Sequence, residues 1–95
     1  MLVLVEATVL NCSDRNVTFD LLVDELNRLL KYKIGIEHGI RLIFNSNSYI
    51  GPGKTKFRFI DFSNLNLGPF DYWSYNKTLI IQQNLIDLDI NVYPA

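Results

Sequence analysis

Alternation opens the chain. In an extended Met1 to Leu10 segment, Val3, Val5, Ala7 and Val9 fall on one side and Leu2, Leu4, Glu6 and Thr8 on the other, so both sides are apolar near its start. The pattern predicts an interior strand or one covered on both faces. Asn11 to Thr18 is a polar connection. Thr18 then stands as the N-cap of a helix in which Phe19, Leu22, Val23, Leu26, Leu29 and Leu30 recur at helical spacing. Asp20 and Asp24 lie near the positive end of its dipole, Asp24 and Arg28 are one turn apart, Lys31 and Lys33 occupy the last turn, and Gly35 is a left-handed stop.

The second half reads mostly as strands. Ile40 to Phe44 is a short apolar run, and Asn45 to Lys54 is a loop punctuated by Gly51-Pro52-Gly53. Lys56 and Arg58 alternate with Phe57 and Phe59, after which Ile60 interrupts the period and predicts a bulge before Phe62. Ser63 to Asn76 is expected to be irregular. A hairpin follows, from Lys77 to Gln82 and from Ile86 to Tyr93. In its second arm Ile86, Leu88, Ile90 and Val92 alternate strictly with Asp87, Asp89, Asn91 and Tyr93. Pro94 ends the pairing.

This β-α-β-β-β-β order argues an α+β fold, one helix packed on a mostly antiparallel sheet, and residues 1–95 are expected to form a single domain. In outline the arrangement resembles cystatin- and monellin-like domains. The resemblance is one of topology alone. The Gln-x-Val-x-Gly hairpin that cystatins use for inhibition is matched by Gln82-Gln83-Asn84-Leu85-Ile86 at its first residue only, so it implies no function here.

Composition narrows the class. An apolar fraction of 48% with abundant aromatics excludes a disordered chain. The net charge of −1 hides an uneven distribution. Met1 to Glu25 carries five carboxylates against Arg15, Arg28 to Arg58 carries seven cations against Glu37, and the last third is acidic again. A basic middle between acidic ends can make a bipolar surface that steers partners. Cys12 is the only cysteine, which excludes an internal disulfide and points to a reducing compartment. Sequons at Asn11, Asn16 and Asn76 arise easily by chance in a chain so rich in Asn. The opening apolar run has no basic leader and is interrupted by Glu6, so it reads as a strand rather than a signal core, and no run approaches the roughly 20 apolar residues of a membrane span. The expectation is a soluble cytoplasmic protein. Heavy use of Asn, Ile, Lys, Phe and Tyr beside two alanines suggests an AT-rich coding sequence and hence a low-GC bacterium, a phage or another virus, with the host cytoplasm as location in the viral case.

Motifs for chemistry are few. Gly53-Lys54-Thr55 ends like a phosphate-binding P-loop, but Ser48 stands where its first Gly belongs and a strand, not a helix, is expected to follow. Phe57-Arg58-Phe59-Ile60-Asp61-Phe62 resembles the aromatic half of the RNA-contacting strand of RNA-recognition-motif domains, which would imply rings stacked on bases. Ordinary core placement of Phe57 and Phe59, with Lys56 and Arg58 in water, explains the same pattern. His38 is the only histidine and lies far from Cys12 in sequence, so neither a metal cluster nor a catalytic set is visible and no cofactor is expected.

The aromatic stretch Gly68 to Asn76 remains. Phe70, Tyr72, Trp73 and Tyr75 either pin this segment to the core or offer it to a partner, and Tyr49 stands in the other long loop. The leading expectation is a small non-catalytic module that binds another protein, such as a phage or viral factor acting on a host protein. Tyr49, Phe70, Tyr72, Trp73 and Tyr75 would be its anchors and Lys54, Lys56 and Arg58 its charged rim. Nucleic-acid binding through the basic middle is the alternative, and an enzyme with an unrecognised site the third reading. A homodimer formed through exposed strand edges is also compatible with this pattern.

Overall fold

A computed structural model describes residues 1–36 and 49–95. The expected strand at Ile40 to Phe44, and His38 with it, lie outside the described residues. The elements run β1 (Leu2–Asn11), β2 (Val17–Thr18), α1 (Phe19–Ile34), β3 (Tyr49–Ile50), β4 (Gly53–Phe62), β5 (Trp73–Ile81) and β6 (Asn84–Pro94). Four of the strands form one antiparallel sheet in the order β4-β1-β6-β5, while β2 and β3 pair as a separate short ribbon. The fold is α+β, with one helix on an antiparallel sheet. β1 is an interior strand, as its two apolar faces require.

The register explains the core. Across the middle of the sheet Val5 pairs with Phe59 and Val92, and Ala7 with Phe57 and Ile90. These side chains are buried with Leu22, Val23, Leu26, Leu30 and Ile34 of the helix in one apolar cluster. Phe19, at the start of α1, meets Phe57 edge-on with ring centroids 5.5 Å apart. Burying such side chains contributes about 1.5–3 kcal/mol each, which is what holds the helix to the sheet.

The helix runs from Thr18 to Gly35 as the pattern predicts, although the Thr18 side chain makes no capping hydrogen bond. At the other end Gly35 has φ +64, and its N–H donates to the Lys31 carbonyl in a left-handed stop. A Cβ there would also strike the Asn64 side chain. Ser63 and Asn64 close that end: the Asn64 N–H and the Ser63 hydroxyl both donate to the Ile34 carbonyl.

Two local expectations change. There is no bulge at Ile60, because β4 pairs with β1 without interruption from Gly53 to Phe62. Ile60 and Phe62 point away from the helix, and Asp61 points towards it and is buried. The segment taken as irregular to Asn76 is strand from Trp73 onward, which extends the hairpin by four residues. Arg28 pairs with Glu25 at 2.6 Å.

Candidate interface on the uncovered sheet face

The helix covers one side of the sheet. Among the described residues nothing covers the other. That face is built in rows by the register: Phe62 beside Leu2; Ile60, Leu4 and Tyr93; Arg58, Glu6, Asn91 and Ser74; Lys56, Thr8, Asp89 and Asn76; Lys54, Leu10, Asp87 and Thr78; and finally Leu85 beside Ile80.

The rows are not alike. At the end near the N-terminus the face is apolar: Ile60 is 61% and Phe62 51% exposed, Leu2 is exposed and Leu4 half-buried. Tyr72, 64% exposed, extends this patch, its ring tilted against that of Tyr93 with centroids 6.2 Å apart. The next three rows are charged, with a cation on β4 in each, a carboxylate on β1 in the first and a carboxylate on β6 in the other two. Arg58 reaches the Glu6 carboxylate at 3.2 Å, and Thr78 donates to Asp87 at 2.7 Å.

The structure therefore divides the residues singled out by sequence. Lys54, Lys56, Arg58 and Tyr72 share the uncovered face. Phe70, 98% exposed, sits in the connection just before it. Trp73 and Tyr75 turn the other way: half-buried, they pack on the core beside the helix with rings stacked 5.9 Å apart, and the Lys33 ammonium stands 5.4 Å from the Tyr75 centroid. Tyr49 is exposed but lies in the β2–β3 ribbon beside the far end of β1, where Asn11 donates to the Ile50 carbonyl. Leu2, Leu4, Ile60, Phe62 and Tyr93 were missed as a surface. Their signal was present in the doubly apolar start of β1 and in the two hydrophobes at outward positions of β4.

The other candidates resolve simply. Gly53-Lys54-Thr55 begins β4, so no helix terminus follows it to hold a phosphate. Phe57 and Phe59 are buried under α1 and present no ring for stacking on a base. Cys12 is exposed, and among the described residues no group of three His, Cys, Asp or Glu side chains is placed to hold a metal ion. The Asn11 amide is not a free acceptor for a glycan in the folded chain, being 2% exposed and hydrogen-bonded through both ends. Shallow clefts of about 350 and 390 Å³ flank α1 against β5, the second lined by Glu25, Arg28, Tyr32, Lys33, Tyr75 and Lys77. Glu25 bonds Arg28 and lies 3.7 Å from Lys77, so those cations are already partnered. Among the described residues no helix is long and apolar enough to cross a membrane.

Comparison with known proteins places no relative beside these observations: no family model matches the chain, and neither a curated protein nor a solved structure matches it significantly.

Proposed function

We propose that this chain is a non-catalytic protein-binding module that docks its partner on the uncovered face of the sheet. Leu2, Leu4, Ile60, Phe62, Tyr72 and Tyr93 form the apolar anchor, and Lys54, Lys56 and Arg58 the charged rim. One observation carries the reading. An antiparallel sheet with a single covering layer ordinarily turns polar side chains to water, whereas here two adjacent rows of the uncovered face are hydrophobic. A contiguous apolar patch bordered by charge is the usual mark of a contact surface.

The same face argues against nucleic acid as the occupant. Glu6, Asp87 and Asp89 share it with the three cations, so a phosphate backbone laid across the sheet would meet both signs.

The test is capture from a lysate of the native source on immobilised wild-type chain and on an Ile60→Asp/Phe62→Ser variant, with and without nuclease. The expected result is that the retained protein, a further copy of the chain included, is lost with the variant at unchanged melting temperature and is indifferent to nuclease. Equal retention by both chains would remove this face from the interface. Retention that nuclease abolishes would turn the reading to nucleic acid.

A further inference from the structure

We infer that the occupant of this face is a second copy of the chain, docked face to face across a two-fold axis that runs along β1. The inference rests on the reading of the uncovered face as a docking surface and goes further in naming what covers it. The argument is one of self-complementarity, which a two-fold interface demands because the same patch must serve on both sides.

The sheet order supplies it. β1 is flanked by β4 on one side and β6 on the other. Rotation by 180° about an axis parallel to β1 and lying above it sets β4 of each copy over β6 of the other and leaves the rows in place. Each copy's Lys56 then stands over Asp89 of the partner subunit, Lys54 over Asp87 of the partner subunit, and Ile60 over Tyr93 of the partner subunit. Along the axis Leu2, Leu4, Thr8 and Leu10 meet their own counterparts. Glu6 also meets its counterpart, but each of these carboxylates is held by its own Arg58.

Aligned sheets rotate by about 30° when they pack, which in the middle rows displaces a side chain by less than the roughly 4.8 Å between strands, so the Lys56–Asp89 pairing survives the twist, whereas the rows towards either end shift by about one strand. The alternative axis, across the strands, fails on charge. It sets β4 on β4, so that Lys56 and Arg58 of the two copies meet, cation on cation.

The three strands that face a counterpart, β4, β1 and β6, at about nine residues each present roughly 430 Å² in projection, and more in accessible area, against the roughly 800 Å² that each partner contributes to a standard stable interface. The cationic edge of β4 disfavours strand-to-strand pairing at that side of the sheet.

The experiment is sedimentation velocity on the purified chain across a concentration series, together with two charge reversals. Wild type should sediment at twice its 11.0 kDa mass in the micromolar range. Lys56→Asp and Asp89→Lys, each alone, should raise the dissociation constant by about tenfold or more, because each places like charges opposite one another twice in the dimer. An equimolar mixture of the two variants should recover dimer to within about threefold of wild type, since every reversed residue then meets its complement on the other chain. A wild-type chain that stays monomeric to about 1 mM, well above the range of specific complexes, overturns the inference and leaves the docking face itself to the capture experiment. Dimer formation that neither reversal weakens, or that mixing does not recover, overturns it as well.

Discussion

Glu6 and Arg58 stand opposite one another across the β1–β4 ladder with 3.2 Å between carboxylate and guanidinium. Arg58 is largely solvated, so the pair contributes no more than about 0–1 kcal/mol to folding. Its consequence is for association. In the face-to-face dimer two Glu6 carboxylates approach the axis, and Arg58 is what neutralises them. Arg58→Ala should therefore leave the melting temperature of the monomer within about 2–4 °C of wild type while weakening self-association about tenfold. Added salt should narrow that gap, because screening weakens repulsion in the variant and attraction in the wild type. Sedimentation at two ionic strengths, with a thermal melt of each chain, checks both statements.

Phe70 and Trp73 are three residues apart and belong to different worlds. Phe70 is almost wholly in water, and its removal should change stability by no more than about 0.5 kcal/mol. Trp73 is half-buried against the core and stacked on Tyr75, so Trp73→Ala should destabilise by about 2–3 kcal/mol, short of the cost for a fully buried ring. Urea unfolding of the two variants separates them. Equal, small losses would show that the stack does not hold the end of β5.

These two residues also show what the sequence could reveal. The helix was legible end to end, because sixteen residues carry a regular apolar stripe between Thr18 and a glycine stop. So was β1, whose double-faced apolar start requires an interior place. The start of β5 was not. Trp73 and Tyr75 do alternate with Ser74 and Asn76, but the partner strand that makes this alternation a half-buried edge lies some twenty residues further on. Ile60 failed for a related reason. An outward hydrophobe looks like a break in period until the uninterrupted pairing with β1 shows it to be a surface residue. Strand order is nonlocal information, and the candidate site is a product of strand order. Lys54, Lys56 and Arg58 were visible as a basic run, but their position across β1 from Asp87 and Asp89 was not.

Asn11 ties three segments with one amide. Its Nδ2 donates to the Arg15 and Ile50 carbonyls at 2.8 and 3.2 Å, while its Oδ1 accepts from the Ser13 N–H and hydroxyl at 3.0 and 2.7 Å. Asn11→Leu leaves the buried Ile50 carbonyl and the part-buried Ser13 N–H without that partner and should cost about 1–3 kcal/mol. Asn11→Asp keeps the shape but, ionised, aims a carboxylate at two carbonyl oxygens. Burial and those oxygens raise the folded-state pKa of the new group above its unfolded value, so its stability is present at low pH and lost as pH rises through the folded value. The gap between Asn11→Asp and wild type should therefore narrow on acidification, which denaturant titrations at pH 7 and pH 4 would read directly.

The hairpin between β5 and β6 turns on Gln82 and Gln83, with Ile81 paired to Asn84 across it. Both glutamines have positive φ, 51 and 66, the conformation of a two-residue turn that matches the twist of its strands but favours Asn and Gly. A side chain held there costs about 1 kcal/mol relative to glycine. The two positions are not equivalent. Gln82 also accepts a hydrogen bond through Oε1 from the Thr18 N–H at 3.3 Å, linking the turn to the start of the helix, whereas Gln83 is exposed. Gln83→Gly should thus stabilise the fold by about 0.5–1 kcal/mol, and Gln83→Val should destabilise it by at least as much, since a β-branched residue tolerates positive φ least. Gln82→Gly should gain less, because relief of the backbone is offset by the lost contact to Thr18. Thermal melts of the three variants would order them Gln83→Gly, Gln82→Gly, Gln83→Val from most to least stable. A Gln83→Gly chain no more stable than wild type would mean that the turn is held in some other conformation in solution.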